Sequence, residues 1–100
     1  SGEGTYYATR LGACGYVNVD TDSIVALSHK LFDKYTPNGN PNRNTLCGKK
    51  INAYHEGKTV EVTVVDRCEA CDERDLDFSP TAFTELADQV RGRIQITWEW

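Results

Sequence analysis

The sequence predicts one small, mainly β domain, a barrel of short strands cross-linked by disulfides. Its 100 residues allow a single domain with a modest core. Apolar and polar residues alternate with period two through much of the second half, as they do in half-buried strands. Four cysteines in so short a chain are typical of a secreted protein whose core is supplemented by cross-links.

The sequence pattern predicts some strands more strongly than others. The clearest are predicted at residues 58–66 and 93–100, where β-branched or aromatic residues alternate with polar ones. Weaker strands are predicted at residues 5–9 and 49–54. The apolar run at residues 24–27 fits either a buried strand or a helical turn.

One helix is well signalled. Ser79 can cap its N-terminus, and Pro80 suits the first helical position. Apolar residues at positions 83, 86, 87 and 90 fall on one face of the helix. The helix is predicted to end near Gly92, because glycine commonly follows the last turn of a helix. Ser28 can cap a second, short helical turn. At least five short strands with one or two short helices point to a small β-barrel.

The first residues and one loop differ from this pattern. Residues 1–4 are interpreted as a flexible lead, which leaves residues 5–100 for the barrel domain. Residues 36–45 combine two prolines with four asparagines and are predicted to form an exposed loop.

Charge and hydropathy exclude two classes of partner. Fifteen acidic residues against 11 basic ones give a formal charge of −4, with no block of lysine or arginine to hold a nucleic-acid backbone. No run approaches the roughly 20 apolar residues that a membrane helix needs. We therefore expect neither nucleic acid nor a membrane as a partner. With the four cysteines, we expect a secreted, extracellular protein, and we expect it to be a monomer.

The four cysteines allow three pairings. A zinc site would be expected to show a second closely spaced pair beside Cys68 and Cys71, whereas Cys14 and Cys47 each stand alone. A redox pair should begin a helix, but acidic, loop-like residues follow Cys71. Two structural disulfides are favoured, without metal or cofactor.

Six segments, taken in order, resemble the expansin-like double-psi β-barrel group, particularly the small secreted proteins called loosenins. The group is related to barwin and to rare lipoprotein A. The segments are Gly12-Ala13-Cys14-Gly15-Tyr16-Val17-Asn18, Val25-Ala26-Leu27-Ser28, Leu46-Cys47-Gly48, Val64-Val65-Asp66-Arg67-Cys68, Leu76-Asp77-Phe78-Ser79-Pro80-Thr81-Ala82-Phe83 and Gly92-Arg93-Ile94-Gln95-Ile96-Thr97-Trp98.

The resemblance implies a mainly β fold, a six-stranded double-psi β-barrel with one or two short helices and two disulfides. It favours the pairing of Cys14 with Cys47, which leaves Cys68 with Cys71. It also implies an open polar groove across one face of the barrel.

Carried over by position, Thr9, Asp66 and Asp77 are implied to line the floor of this groove. The related family 45 endoglucanases have their general base at the position resembling Thr9, and threonine cannot take a proton at neutral pH. We therefore expect a non-catalytic protein; if it has any activity, Asp77 would be the acid and Asp66 would assist. A weak lytic transglycosylase is the less favoured alternative.

Aromatic and acidic side chains near the groove have ordinary structural interpretations as well. Tyr7 and Tyr16 are the expected groove aromatics, whereas Trp98 alternates with core isoleucines and is predicted to be core. The acidic run at residues 72–77 lacks the ordered spacing of a calcium loop and is interpreted as a solvated loop.

The leading hypothesis is a secreted protein that binds and loosens cell-wall polysaccharide, whether cellulose, chitin or peptidoglycan. The alternative is an inhibitor of papain-like cysteine proteases, since some small double-psi barrels have that function. Such an inhibitor would present a loop to the protease cleft. The candidate loop residues are Asn38, Asn40, Asn42, Glu69 and Ala70.

Overall fold

A computed structural model of the protein describes residues 2–9, 12–19, 21–35 and 44–100. The strands are β1 (Gly2–Tyr6), β2 (Ile24–Ser28), β3 (Lys50–His55), β4 (Lys58–Cys68), β5 (Leu76–Phe78) and β6 (Ile94–Glu99). The helices are α1 (His29–Phe32) and α2 (Pro80–Leu86), with 3₁₀ turns at Asp33–Tyr35 and Gln89–Arg91.

The strands close into a barrel in the order β1-β5-β2-β4-β3-β6. Two of the pairings, β1 with β5 and β2 with β4, are parallel, and the others are antiparallel. The prediction of a mainly β, six-stranded barrel with two short helices is confirmed. The ambiguous run at residues 24–27 belongs to β2, which is buried along its whole length because it lies between β4 and β5.

The core follows the predicted alternation. In β4, the valines at 60, 62 and 64 point inward, and in β6, Ile94, Ile96 and Trp98 do the same. Trp98 is 5% exposed, so its assignment to the core is confirmed. Among the described residues, no helix has the length and apolar character needed to cross a bilayer.

Helix α2 begins as predicted and ends early. The Ser79 side chain accepts a hydrogen bond from the Ala82 N–H, and Pro80 opens the helix. Ala87 is extended, at φ −163° and ψ 165°, so the helix stops at Leu86 instead of continuing to Gly92. Val90 consequently leaves the buried face and is 91% exposed.

The predicted flexible lead is wrong for residues 2–4, which form the first part of β1. Gly4 pairs with Leu76 of β5 and with Ile94 of β6. A Cβ at Gly4 would lie 2.8 Å from the Phe78 ring, so this close approach requires glycine. The strand expected at residues 5–9 therefore starts and ends earlier, at Gly2 and Tyr6.

Both disulfides form as the resemblance implied. Cys14 bonds to Cys47 across 33 residues, and Cys68 bonds to Cys71 across three. Most of the loop expected at 36–45, including the three candidate asparagines at 38, 40 and 42, lies outside the described residues.

Candidate functional site

A row of residues in register crosses four neighbouring strands on one side of the barrel. Thr5 of β1 pairs with Asp77 of β5, Asp77 pairs with Ala26 of β2, and Ala26 pairs with Asp66 of β4. Paired residues of neighbouring strands point to the same face. The two carboxylates thus stand on either side of a small alanine, their backbones separated by two strand spacings, roughly 10 Å.

Asp77 is the half-buried carboxylate of this row. The Thr5 hydroxyl donates a hydrogen bond of 2.8 Å to its Oδ1. Burial raises the pKa of Asp77 above its ordinary value, the Thr5 hydrogen bond lowers it, and the nearby charge of Asp66 raises it further. On balance the pKa of Asp77 lies above its ordinary value, and its carboxyl accepts the Thr5 hydroxyl as a hydrogen-bond donor.

Asp66 has backbone partners. Its Oδ1 accepts from the Ala13 N–H and from the Arg67 N–H, each at 2.8 Å. A third bond, from the Cys14 N–H to the Val65 carbonyl at 3.1 Å, joins the same two segments. Asp66 therefore anchors the turn at residues 12–16 to the end of β4.

Gly12 makes this anchoring possible. A Cβ there would lie 2.5 Å from the Val65 carbonyl oxygen and 3.1 Å from the Asp66 carboxyl carbon. The turn closes through the Gly12 N–H, which donates to the Tyr16 carbonyl at 3.0 Å. The side chain of Tyr16 is 47% exposed, beside the anchored turn.

Tyr7 and Thr9 follow β1. The Tyr7 N–H donates to the Phe78 carbonyl at 3.0 Å, which continues the pairing with β5 by one residue. Tyr7 lies two positions after Thr5 and is half-buried. Thr9 lies beyond the strand and is half-buried.

Thr5 was missed by the sequence reasoning. Its hydroxyl bonds to Asp77, a residue 72 positions away in the chain, through the parallel pairing of β1 with β5. The available signal was the period-two placement of Thr5 and Tyr7, but it identifies a face only when the paired strand is known.

The Cys68–Cys71 loop is held on several sides. Arg67 donates from Nε and Nη2 to Asp33, at 2.8 and 2.9 Å, and from Nη1 to Glu69 at 2.9 Å. The Arg67 hydrogen bond lowers the pKa of Asp33 below its ordinary value. The Ser28 hydroxyl donates to the Cys71 carbonyl at 3.0 Å. Glu69 and Ala70 are both exposed on this braced loop.

The acidic run after this loop is occupied by structural partners. Asp72 and Glu73 pair with lysines of the α1 region at 3.4 and 2.8 Å, and Asp75 accepts the Glu3 N–H at 2.9 Å. Within the described ranges, no group of three or more histidine, cysteine, aspartate or glutamate side chains is placed to hold a metal.

Comparison with known proteins identifies the family. Residues 1–98 match the double-psi β-barrel family described as "Lytic transglycolase". The chain belongs to this family. Its fold is the expansin-like double-psi barrel, which confirms the resemblance seen in the sequence.

Three relatives show the range of the family. The papain inhibitor of Streptomyces mobaraensis is 36% identical over the whole chain, which covers 70% of that protein. The structure titled Streptomyces papain inhibitor superposes with a TM-score of 0.89 at 35% identity, over 99% of this chain and 90% of that one. A mutant of the Clavibacter michiganensis expansin, solved in complex with cellohexaose, superposes with a TM-score of 0.78 at 26% identity; it aligns with 98% of this chain, which spans 48% of the expansin.

Proposed function

We propose that the protein binds a neutral cell-wall polysaccharide chain, cellulose or chitin, across the row formed by Thr5, Asp77, Ala26 and Asp66, without cleaving it efficiently. This is an expansin- or loosenin-like function. The observation that carries the proposal is the row itself, in which polar side chains of three strands flank a small residue.

The chemistry of the row suits sugar hydroxyls. The Asp77 carboxyl offers hydrogen-bond acceptors, and the Thr5 hydroxyl can donate and accept, which together match the dual character of a sugar hydroxyl group. The exposed ring of Tyr16 and the half-buried ring of Tyr7 offer faces for stacking on sugar rings. The complex of the related expansin with cellohexaose supports a glucan as the ligand of this fold.

The arrangement disfavours efficient hydrolysis. An inverting glycosidase needs an acid and a second carboxylate that activates a water. Asp77 suits the acid, but Oδ1 of Asp66 already accepts two backbone N–H groups. In the row, the residue in register beside Asp77 on β1 is Thr5, whose hydroxyl is no base at neutral pH. Binding energy would act on the conformation and packing of the glycan instead of on bond cleavage.

The test is a pull-down on cellulose and on chitin. We expect Asp77→Asn to weaken binding about tenfold, equivalent to about 1.4 kcal/mol. Asp72→Asn is the matched control, because its side chain is 86% exposed and pairs with Lys30 outside the row. Equal binding by Asp77→Asn and the wild type would refute the proposal, and release of reducing ends or anhydro-sugars would refute its non-catalytic part.

A second candidate function, inhibition of papain-like proteases, is favoured by a separate observation. The papain inhibitor of Streptomyces mobaraensis shares 36% identity over the whole chain, and the structure titled Streptomyces papain inhibitor superposes at a TM-score of 0.89. The braced loop with Glu69 and Ala70 is the described segment suited to enter a protease cleft. A loop held in place before binding loses less entropy when it docks. The asparagines at 38, 40 and 42 stay candidate contacts.

Papain assays separate the two functions. If the braced loop docks into papain, Ala70→Arg should weaken inhibition at least tenfold while leaving polysaccharide binding intact. Asp77→Asn should have the converse effect. Full papain activity at micromolar protein would eliminate the inhibitor function. If Ala70→Arg inhibits papain as well as the wild type does, the loop that contacts papain is not the Cys68–Cys71 loop.

A further inference from the structure

A cavity of about 620 Å³ opens on the barrel away from the Asp66–Asp77 row. Tyr54 at the end of β3, and Gln95 and Thr97 on β6, contribute to its wall. Glu56 and Arg91 contribute from the β3–β4 turn and the second 3₁₀ turn. Its volume falls within the roughly 300–1,000 Å³ of small-molecule sites.

The cavity lies across the barrel from the carboxylate row. In the closed order β1-β5-β2-β4-β3-β6, strand β3 is three strands from β5 in either direction, and β6 is three strands from β2. The row on β1, β5, β2 and β4 and the cavity on β3 and β6 therefore face opposite sides of the molecule.

The charges at the cavity neutralise one another. The Arg91 guanidinium donates to Glu56 at 3.2 Å, and the Glu56 carboxylate also lies 2.7 Å from Nε2 of His55. The hydrogen bond from Arg91 holds the pKa of Glu56 below its ordinary value, so the ion pair persists at neutral pH. These pairings leave little net charge to attract an anionic or cationic ligand, so a neutral ligand is favoured.

The remaining wall offers hydroxyl, amide and aromatic groups. Tyr54 pairs in register with Thr97, and its hydroxyl donates to the Glu99 carboxylate at 2.9 Å. That hydrogen bond raises the pKa of Tyr54, which stays protonated with its ring fixed in orientation. The buried His55 ring is 2.7 Å from the Gln95 carbonyl and braces the edge of β6.

We propose that this cavity is a second glycan-binding site that takes a short, neutral oligosaccharide segment, with the Tyr54 ring as its stacking surface. The inference rests on the proposed function, because it assigns the same class of ligand to the opposite side of the barrel. A fixed aromatic ring beside hydroxyl and amide groups provides stacking and hydrogen bonding for a sugar ring.

Two sites on opposite sides make the protein bivalent. One glycan segment can lie along the carboxylate row while a segment of a neighbouring chain occupies the cavity. The two weak contacts together would hold the protein on a bundle of chains more tightly than either contact alone. A single domain would thereby act between adjacent chains.

The experiment is a titration of the ¹⁵N-labelled protein with cellohexaose and, separately, with chitohexaose, followed by amide chemical shifts. We expect two groups of shifted signals for at least one sugar, one around Thr5 and Asp77 and one around Tyr54 and Thr97. Tyr54→Ala should weaken binding in the second group at least tenfold and leave the first unchanged. Tyr54→Phe keeps the ring and should retain both groups.

The outcomes separate this inference from the proposed function. Shifts at the row without shifts at Tyr54 and Thr97 overturn the second site and leave the row as a glycan site. Shifts at the cavity alone overturn the row, and no shifts with either sugar overturn both. If Tyr54→Ala does not fold, Thr97→Arg, which places a long side chain on an exposed position of the cavity wall, should remove the second group instead.

Discussion

Asp66 and Asp77 stand on either side of Ala26, yet their surroundings differ. Oδ1 of Asp66 accepts two backbone N–H groups, from Ala13 and Arg67. Oδ1 of Asp77 accepts the hydroxyl of Thr5, and burial raises the pKa of this carboxyl group. Asp66 therefore holds two backbone segments together, whereas Asp77 bonds to a side-chain hydroxyl.

Under the proposed function, this difference divides the row into a supporting half around Asp66 and a recognising half around Asp77. The turn at residues 12–16 carries Cys14 and the exposed ring of Tyr16, and it depends on Asp66 for its position. Losing Asp66 should thus disturb the row through its framework. Losing Asp77 should leave the framework intact and, under the proposed function, change what the row binds.

The largest loss of stability is expected from removal of the Cys14–Cys47 disulfide, which lies in the supporting half. The Cys14–Cys47 disulfide links residues 33 positions apart. Replacing both cysteines by serine removes this constraint on the unfolded chain and should lower the free energy of unfolding by about 3–4 kcal/mol on the chain-entropy model. The matched pair is Cys68→Ser with Cys71→Ser, separated by three residues, which should cost about 1–2 kcal/mol. Urea unfolding measures both, and equal losses would show that the two bridges stabilise the fold alike.

Asp66→Ala should produce the next largest effect. Removing an acceptor of two backbone N–H groups should destabilise the protein by about 2–3 kcal/mol. Asp66→Asn retains an oxygen acceptor and should lose less than half as much. Thermal unfolding of the two variants makes the comparison. If Asp66→Ala unfolds like the wild type, Asp66 does not support the turn.

Most of the fold was predictable from the sequence because its signals are local. Alternation identified β4 and β6, and Ser79 with Pro80 located the start of α2. The end of α2 was not predictable, because Val90 continues the apolar pattern although Ala87 has already left the helical conformation. The N-terminal strand was predicted too late in the chain, at residues 5–9, because the fit of its glycines, Gly2 and Gly4, depends on contacts with distant residues.

The site was predictable in part, through its two aspartates. Their likeness to the expansin pattern singled them out, but residue type alone could not show that one binds backbone and the other a hydroxyl. That distinction depends on the turn at Ala13 and on the pairing of Thr5 with Asp77, contacts that join residues 53 and 72 positions apart. A period-two pattern along one strand does not show which distant residue each position pairs with.

The pH dependence of stability should reveal Asp77. A carboxyl whose pKa is higher in the folded than in the unfolded chain binds its proton more tightly when folded. Its stabilising contribution is complete below the ordinary value of 3.8 and is lost as the pH rises through the folded pKa. Each pKa unit of difference between the folded and unfolded chain changes the free energy of unfolding by about 1.4 kcal/mol.

Asp77→Asn should therefore be more stable than the wild type at pH 7 and should lose that advantage toward pH 3. The difference between the two unfolding curves isolates Asp77 from carboxylates with lowered pKa, such as Asp33. A difference independent of pH would contradict the assignment.

Thr5→Val should have the smallest effect on stability. It should also separate the two aspartates most clearly, because it should change the pKa of Asp77 alone. The Thr5 hydrogen bond lowers the pKa of Asp77, so its removal should raise that pKa further while costing about 0.5–1.5 kcal/mol of stability at most. Thr5→Ser keeps a hydroxyl and should leave the pKa near its wild-type value. NMR titration of the side-chain carboxyl carbons follows both aspartates together. A rise confined to Asp77 would show that the hydroxyl tunes the recognising carboxyl, whereas an unchanged Asp77 would mean that burial alone sets its proton affinity.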